Sequence, residues 1–281
     1  MKLSRTPLPL HLLLLTALPS LPCRAQVDPW EFEVYPYATT QRGVAELETD
    51  NAIVENGHQA GGEALASGTV SSDRAFYNSY EFTYGLTDRI EAAVYLKMAR
   101  PDDSGLQWAG DNFRLRGRLF DEDVLPVNVG WYAELEWHKT PQFDDAQREL
   151  ELRPILEKDF GRLAVTANPI FEKVLAGAGH NQGFEFGYDA EVAWRGWRAL
   201  SPGLEFYGGT GLLDHMDPLR GQQHYIFPVV WGELPCGIEY NFGVGKGLTK
   251  GSDQTIFKFN VELERFIGTI FKASPDNSWF F

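Results

Sequence analysis

Cysteine is almost missing from this 281-residue chain, with Cys23 and Cys236 the only two. Cys23 falls in a segment with the three parts of a secretory signal: Lys2 and Arg5, an apolar run from Leu8 to Leu18, and a small-residue exit at Cys23-Arg24-Ala25. Cleavage after Ala25 is expected; a lipoprotein signal centred on Cys23 fits less well because Pro22, not a small residue, precedes it. The mature chain then keeps one cysteine, which excludes an internal disulfide. Basic residues are scarce: 25 Lys and Arg stand against 39 Asp and Glu, and loss of Lys2, Arg5 and Arg24 with no acid moves the net charge from −14 to −17. No nucleic-acid partner is expected, since phosphate recognition needs a basic footprint. Long apolar runs are missing as well. After the signal nothing approaches the roughly eighteen consecutive apolar residues of a membrane helix, which excludes a helical membrane protein.

What the chain does have is period two. Phe257, Phe259, Val261 and Leu263 alternate with Lys258, Asn260, Glu262 and Glu264. Val127, Val129, Trp131, Ala133, Leu135 and Trp137 alternate with Asn128, Tyr132, Glu134, Glu136 and His138, and Phe184, Phe186, Tyr188, Ala190, Val192 and Trp194 with Glu185, Asp189, Glu191 and Arg195. Such runs exceed the usual soluble strand and suit a tilted crossing of a bilayer. Twelve are expected, at Val44–Val54, Ala75–Leu86, Arg89–Ala99, Asp111–Leu119, Leu125–His138, Arg148–Lys158, Arg162–Val174, Gly183–Arg195, Leu204–Leu213, Gln223–Glu233, Cys236–Lys246 and Gln254–Phe266. Short turns such as Thr87-Asp88 and Asp159-Phe160-Gly161 interleave with long loops such as Asn56–Arg74 and Asp214–Gln222, the asymmetry of outer-membrane barrels with the short side periplasmic. The fold class expected is all-β: a transmembrane up-and-down antiparallel β-barrel of about twelve strands, both ends in the periplasm. A secreted β-sandwich would also alternate, but aromatics near the strand ends resemble membrane-interface girdles. The domain plan is a signal peptide at 1–25, a lead-in at 26–43, the barrel at 44–266, and a tail or lumenal plug at 267–281. Trp30, Phe32 and Val34 alternate with Glu31, Glu33 and Tyr35, so Trp30–Thr39 is expected as a periplasmic lead-in or a forward extension of the first strand.

The stretch Tyr80–Leu96, YEFTYGLTDRIEAAVYL, joins two amphipathic strands by a tight Thr-Asp turn. It resembles the strand-turn-strand signature of a broad group of bacterial outer-membrane β-barrels classed as transporters, some associated with aromatic-compound degradation. That resemblance implies a transport role in the outer membrane of a Gram-negative bacterium.

Because an Arg or Lys on the lipid face costs about 2–4 kcal/mol near the midplane, the charged alternates must face inward. The expected lumen has a basic column, Arg114, Arg116 and Arg118, and an acidic set comprising Glu134, Glu136, Glu185, Asp189, Glu191, Glu239, Glu262 and Glu264. Arg114, Arg116 and Arg118 are expected to face Glu185, Asp189, Glu191, Glu239 and Glu262 across a wet lumen, setting a transverse field that orients solutes and favours cations. The function expected is passive passage of small solutes; a filled, non-conducting structural or surface-interaction barrel is the alternative, since twelve strands lie between packed and water-filled sizes.

No enzyme is expected. None of His58, His138, His180, His215 or His224 has a serine two residues on, and Asp214 and His215, being adjacent, would point to opposite strand faces. No cofactor and no metal are expected: His180 with Asn181, or His58 with Glu55 and Glu63, lack zinc spacing. Cys236 reads as a small apolar residue beside Ile238, Tyr240 and Phe242. The partners expected are outer-membrane lipid, an unidentified small solute, and the barrel-assembly machinery that inserts such proteins.

Overall fold

The computed structural model describes residues 27–59, 70–101, 104–144, 146–235 and 237–263. The expected signal at 1–25, Glu63, Cys236, Glu264, the end of the last expected strand and the tail at 267–281 lie outside the described residues.

The alternating runs fold as β1 (Ala45–Asn56), β2 (Phe76–Gly85), β3 (Ile90–Arg100), β4 (Gln107–Arg118), β5 (Asn128–His138), β6 (Ala146–Phe160), β7 (Leu163–Gly177), β8 (Glu185–Trp194), β9 (Ser201–Leu212), β10 (His215–Met216), β11 (Gln223–Glu233), β12 (Ile238–Gly247) and β13 (Thr255–Leu263). Every strand pairs antiparallel with the next around the ring, β9 pairs with β11, and β13 pairs back onto β1. The result is a closed up-and-down barrel of twelve strands; β10 is a two-residue hairpin extension hung on β9. Closure leaves no unpaired edge, the condition for a sheet whose backbone faces lipid.

The side-chain faces follow from the pleat. Outward-pointing Tyr80, Phe82, Tyr84, Val94, Leu96, Phe113, Phe242, Val244 and Phe257 are exposed, while Glu81, Thr83, Tyr95, Lys97, Arg114, Lys258 and Asn260 are buried inside. An exterior of large apolar residues over a charged interior inverts the soluble pattern and matches a lipid-embedded barrel. The ladder between β6 and β7 is broken between the pairs Leu152/Phe171 and Leu156/Ala167. Pro154 stands opposite Pro169 at the centre of that break, and neither has an N–H to give.

The ends of the barrel differ. One carries the short turns between β2 and β3 and between β6 and β7, the latter closed by Gly161 at φ +68°, a left-handed conformation glycine adopts without strain. Both Ala45 and Leu263 lie at this end, near the periplasmic side by the turn asymmetry. The other end carries the longer connections.

The segment before β1 corrects the expectation of a periplasmic lead-in or a strand extension. Residues 27–42 thread the lumen. Val27 and Asp28 meet Gln223 and Lys97 at the long-loop end, and Arg42 bridges Gly85 at the short-turn end. We call this segment the strap. Gly85 is where it leaves the lumen: a Cβ there would lie 2.0 Å from the Gln41 carbonyl oxygen, so only glycine admits the crossing.

Candidate functional site

The lumen is the interior that the described strands enclose, and its chemistry is set by how the strap is held. A single chain inside a barrel cannot join the wall's ladder, so its backbone groups need other partners. Wall side chains supply them. Asn168 accepts from the Tyr35 N–H at 2.8 Å and donates to the Tyr35 carbonyl at 3.1 Å, mimicking a strand neighbour. Glu157 accepts from the Tyr37 N–H at 3.1 Å, Glu91 from the Thr40 N–H at 2.6 Å, and Lys258 donates to the Phe32 carbonyl at 2.9 Å. The Trp30 indole donates to the Met98 carbonyl at 2.7 Å.

Toward the long-loop end the grip is apolar. Phe32 sits edge-on to Tyr207 and Tyr225 and tilts over Phe227, with centroids 5.2, 5.8 and 5.0 Å away. Trp30 sits edge-on to Tyr77 at 4.9 Å and to Phe143 at 6.0 Å. The sequence concealed this inner aromatic cluster because β11 is apolar on both faces, Tyr225, Phe227 and Val229 inward and Ile226, Pro228 and Val230 on the other, so period two does not say which face looks in.

Midway, Tyr35 is ringed by guanidiniums: Arg114, Arg116 and Arg153 lie 4.9, 5.1 and 5.3 Å from its centroid. Cations over an aromatic face in a desolvated site are worth about 2 kcal/mol or more each at best. Arg153 also binds Asp189 at 3.0 Å, the Glu151 carboxylate, and Glu31 of the strap at 3.5 Å. Lys97 joins Asp28 of the strap at 2.6 Å to Glu136 at 2.7 Å.

Of the expected lumen residues, Arg114, Arg116, Glu134, Glu136, Glu185 and Asp189 are buried inside the ring, but the pairing expected for the arginines needs correcting. Arg114 bonds to Glu81 and, at 2.9 Å, to Glu91; Arg116 bonds to Glu91 at 2.7 Å. Both are answered by carboxylates on the neighbouring strands β2 and β3, not by Glu185, Asp189, Glu191, Glu239 or Glu262 across the lumen. The reason is proximity: Glu91 lies one strand away, within 2.9 Å of Arg114 and 2.7 Å of Arg116, and Tyr35 of the strap packs against both guanidiniums from the lumen side. Arg118, nearer the short turns, donates to the Asp88 carbonyl and lies 5.8 Å from the Tyr37 ring. Glu134 accepts from Asn112 at 2.6 Å and from Tyr132 at 2.9 Å, and Glu185 is buried near the long-loop end. Glu191, Glu239 and Glu262 instead line a vestibule of about 720 Å3 at the short-turn end, closed on one side by strap residues Glu33 to Gln41.

Among the described rim residues, one Ser–His–Asp grouping occurs, and its bonds run the wrong way for a hydrolase. His58, Ser72 and Asp253 cluster, but the Ser72 hydroxyl donates to Asp253 at 2.6 Å, and the His58 ring meets Asp253 through Nδ1 and the Lys250 carbonyl through Nε2. An imidazole bonded to a carbonyl through Nε2 has its proton there and no lone pair for a serine. At the same rim His138 meets Glu149 at 3.0 Å with Asp144 close by, and burial pushes the Asp144 carboxyl up to about 7, Glu149 adding to the rise and His138 opposing it.

No protein-family model matches the sequence, and no curated protein does. Solved structures match by shape. The COG4313 outer-membrane channel of Pseudomonas putida F1 superposes with a TM-score of 0.56 at 14% identity, over 83% of this chain and 99% of that one. Outer-membrane phospholipase A of Escherichia coli, an enzyme, gives 0.43 at 10% identity over 85% and 94%. OmpF of Salmonella typhi gives 0.37 at 7% over 79% and 96%. At these identities the likeness is one of fold. With its closed ring of twelve strands and apolar exterior, the protein has the fold of bacterial outer-membrane β-barrels.

Proposed function

We propose that the protein is an outer-membrane channel for small solutes, kept shut by its own strap. The observation that carries this reading is the way the strap is docked. Apart from the bridge at Arg42 and Gly85, it is held by side chains and contributes to no strand of the wall, so it can shift without breaking the barrel. A plug serving only to fill a structural core has no need of a vestibule on one side. The lumen's charge sets the preference among solutes: buried carboxylates outnumber buried Arg and Lys, and Glu191, Glu239 and Glu262 border the vestibule, favouring cations over anions. Arg114 and Arg116, held by Glu81 and Glu91, are the fixed basic wall, with Arg118 at its mouth.

The test is planar-bilayer conductance of the refolded mature chain beside a variant lacking residues 27–39. Rare or small openings in the wild type and steady, larger, cation-selective ones in the truncated barrel are expected. A folded truncated barrel that stays silent would favour the filled structural barrel and end the channel reading. Arg116→Glu in the truncated barrel should raise cation selectivity further; an unchanged reversal potential removes Arg116 from the selectivity wall.

A further inference from the structure

We propose that a divalent cation, calcium above magnesium, binds between the strap and the barrel wall at Glu33, Glu48 and Asp50. One carboxylate oxygen from each converges, all within 4.8 Å of one another. Glu33 comes from the strap; Glu48 and Asp50 come from β1, two residues apart and so on the same inward face.

Convergent carboxylates alone are common. Here, among the described residues, several surrounding oxygens are also left without partners. Asp50 is 1% exposed, and among the described residues no donor group reaches either of its carboxylate oxygens, the Glu48 carboxylate being its neighbour. Ser79 stands directly opposite Asp50 on β2, is equally buried, and its hydroxyl is unpartnered. Glu81, opposite Glu48, has one oxygen bound to Arg114 and the other, Oε2, buried without a partner. Glu33 Oε2 is in the same condition. Arg114 and Arg116 are the nearest guanidiniums, but their hydrogen bonds go to Glu81, Glu91, Thr83, the Tyr95 hydroxyl and the Pro36 carbonyl, and none to Glu33, Glu48 or Asp50. Buried acceptors with no donor cost free energy, and carboxylates crowded together add repulsion. One bound cation relieves both.

The donor set names the ion. It is oxygen throughout, three carboxylates with a hydroxyl and a fourth carboxylate beside them, the set a hard cation takes; zinc and copper would want nitrogen or sulfur. Magnesium keeps several of its waters and is usually held by one or two carboxylates, whereas calcium takes about six to eight oxygens in a flexible shell, so a set of three converging carboxylates with further oxygens beside them suits calcium. Access is from the short-turn end, because Glu33 and Glu48 also line the vestibule. An ion here ties the strap to β1 at the strand that closes the ring.

The experiment is equilibrium binding of calcium chloride, then magnesium chloride, to the full mature barrel refolded in neutral detergent free of lipopolysaccharide, by calorimetry and radiocalcium dialysis at pH 7.5. Glu33→Gln and Asp50→Asn are compared with wild type, each checked for heat-modifiable mobility. Glu33→Gln alters only the strap, so its wall should fold even if Asp50→Asn does not. One calcium per barrel in the wild type, weakened at least tenfold in Glu33→Gln, with magnesium weaker, is expected. Equal binding by wild type and Glu33→Gln, or no binding by wild type to millimolar calcium, overturns the site and means that shared protons neutralise the carboxylates. The result stands apart from the channel reading, because it is read with no conductance measured.

Discussion

Phe32→Ala isolates the strap's apolar anchor. The ring is 3% exposed and touches Tyr207, Tyr225 and Phe227, all of them on the wall. Phe→Ala at a packed site costs about 3–5 kcal/mol, the lost transfer free energy plus the cavity left behind. The wall keeps its ladder, so the loss falls on docking of the strap. At about 1.4 kcal/mol per tenfold, the detached fraction rises between about a hundredfold and a few thousandfold. That range is an upper bound, since Lys258 still holds the residue-32 carbonyl, and Trp30 and Tyr35 grip on either side. Single-channel recording in planar bilayers reads the effect as open probability, with Phe32→Leu as a control that keeps most of the packing. An open probability for Phe32→Ala within twofold of wild type, in a barrel of normal heat-modifiable mobility, would refute the argument that this aromatic clasp shuts the lumen.

Other expectations follow from single residues. Val94, at the middle of β3 and 51% exposed, faces lipid, so Val94→Arg should lower the unfolding free energy in vesicles by about 2–4 kcal/mol; a loss well below that range would place the residue away from the bilayer centre. Gly85→Ala puts a methyl group onto the Gln41 carbonyl and should weaken amide-exchange protection at Gly43, whose N–H bonds to the Gly85 carbonyl at 2.8 Å; unchanged protection would mean that the backbone yields there freely. Asp144, raised from 3.8 to about 7, is favoured protonated in the fold, so its stabilising effect is complete below about 3.8 and is lost as pH rises through about 7. The loop at 139–144 should therefore loosen from pH 6 to pH 8 in wild type but not in Asp144→Asn, read as the exchange ratio of the two proteins at each pH, which cancels the intrinsic rate; parallel behaviour would sink the assignment.

The wall was legible in the sequence because its rule is local. Lipid outside and polar groups inside impose period two on each strand separately, and runs such as Phe257 to Leu263 state it without reference to any other strand. The inward direction of Arg114, Glu134 and Asp189 followed from the cost of charge in lipid. Their partners did not. Arg114 stands level with Glu134 on β5, yet its ion pairs run to Glu81 and Glu91 on the other side, a choice made by side-chain reach and by Tyr35. The strap's position was hidden for a different reason. Trp30, Phe32 and Val34 read as a half-buried strand from either position, and only the partners waiting on distant strands, Asn168, Glu157 and Lys258, distinguish a lumenal chain from a forward extension of the first strand.

The strap also constrains the order in which the molecule is made. It runs directly into β1, and β1 pairs with β13 to complete the ring, so the last of the described strands fastens onto the first with residues 27–42 inside. A finished ring would have to admit Asp28 and Glu31 past Tyr35's collar of arginines to reach the same state. Wrapping is the simpler path: the growing sheet curls around residues 27–42 as a cooper sets staves around a form, and the seam between β1 and β13 zips last. A barrel built this way carries its template with it.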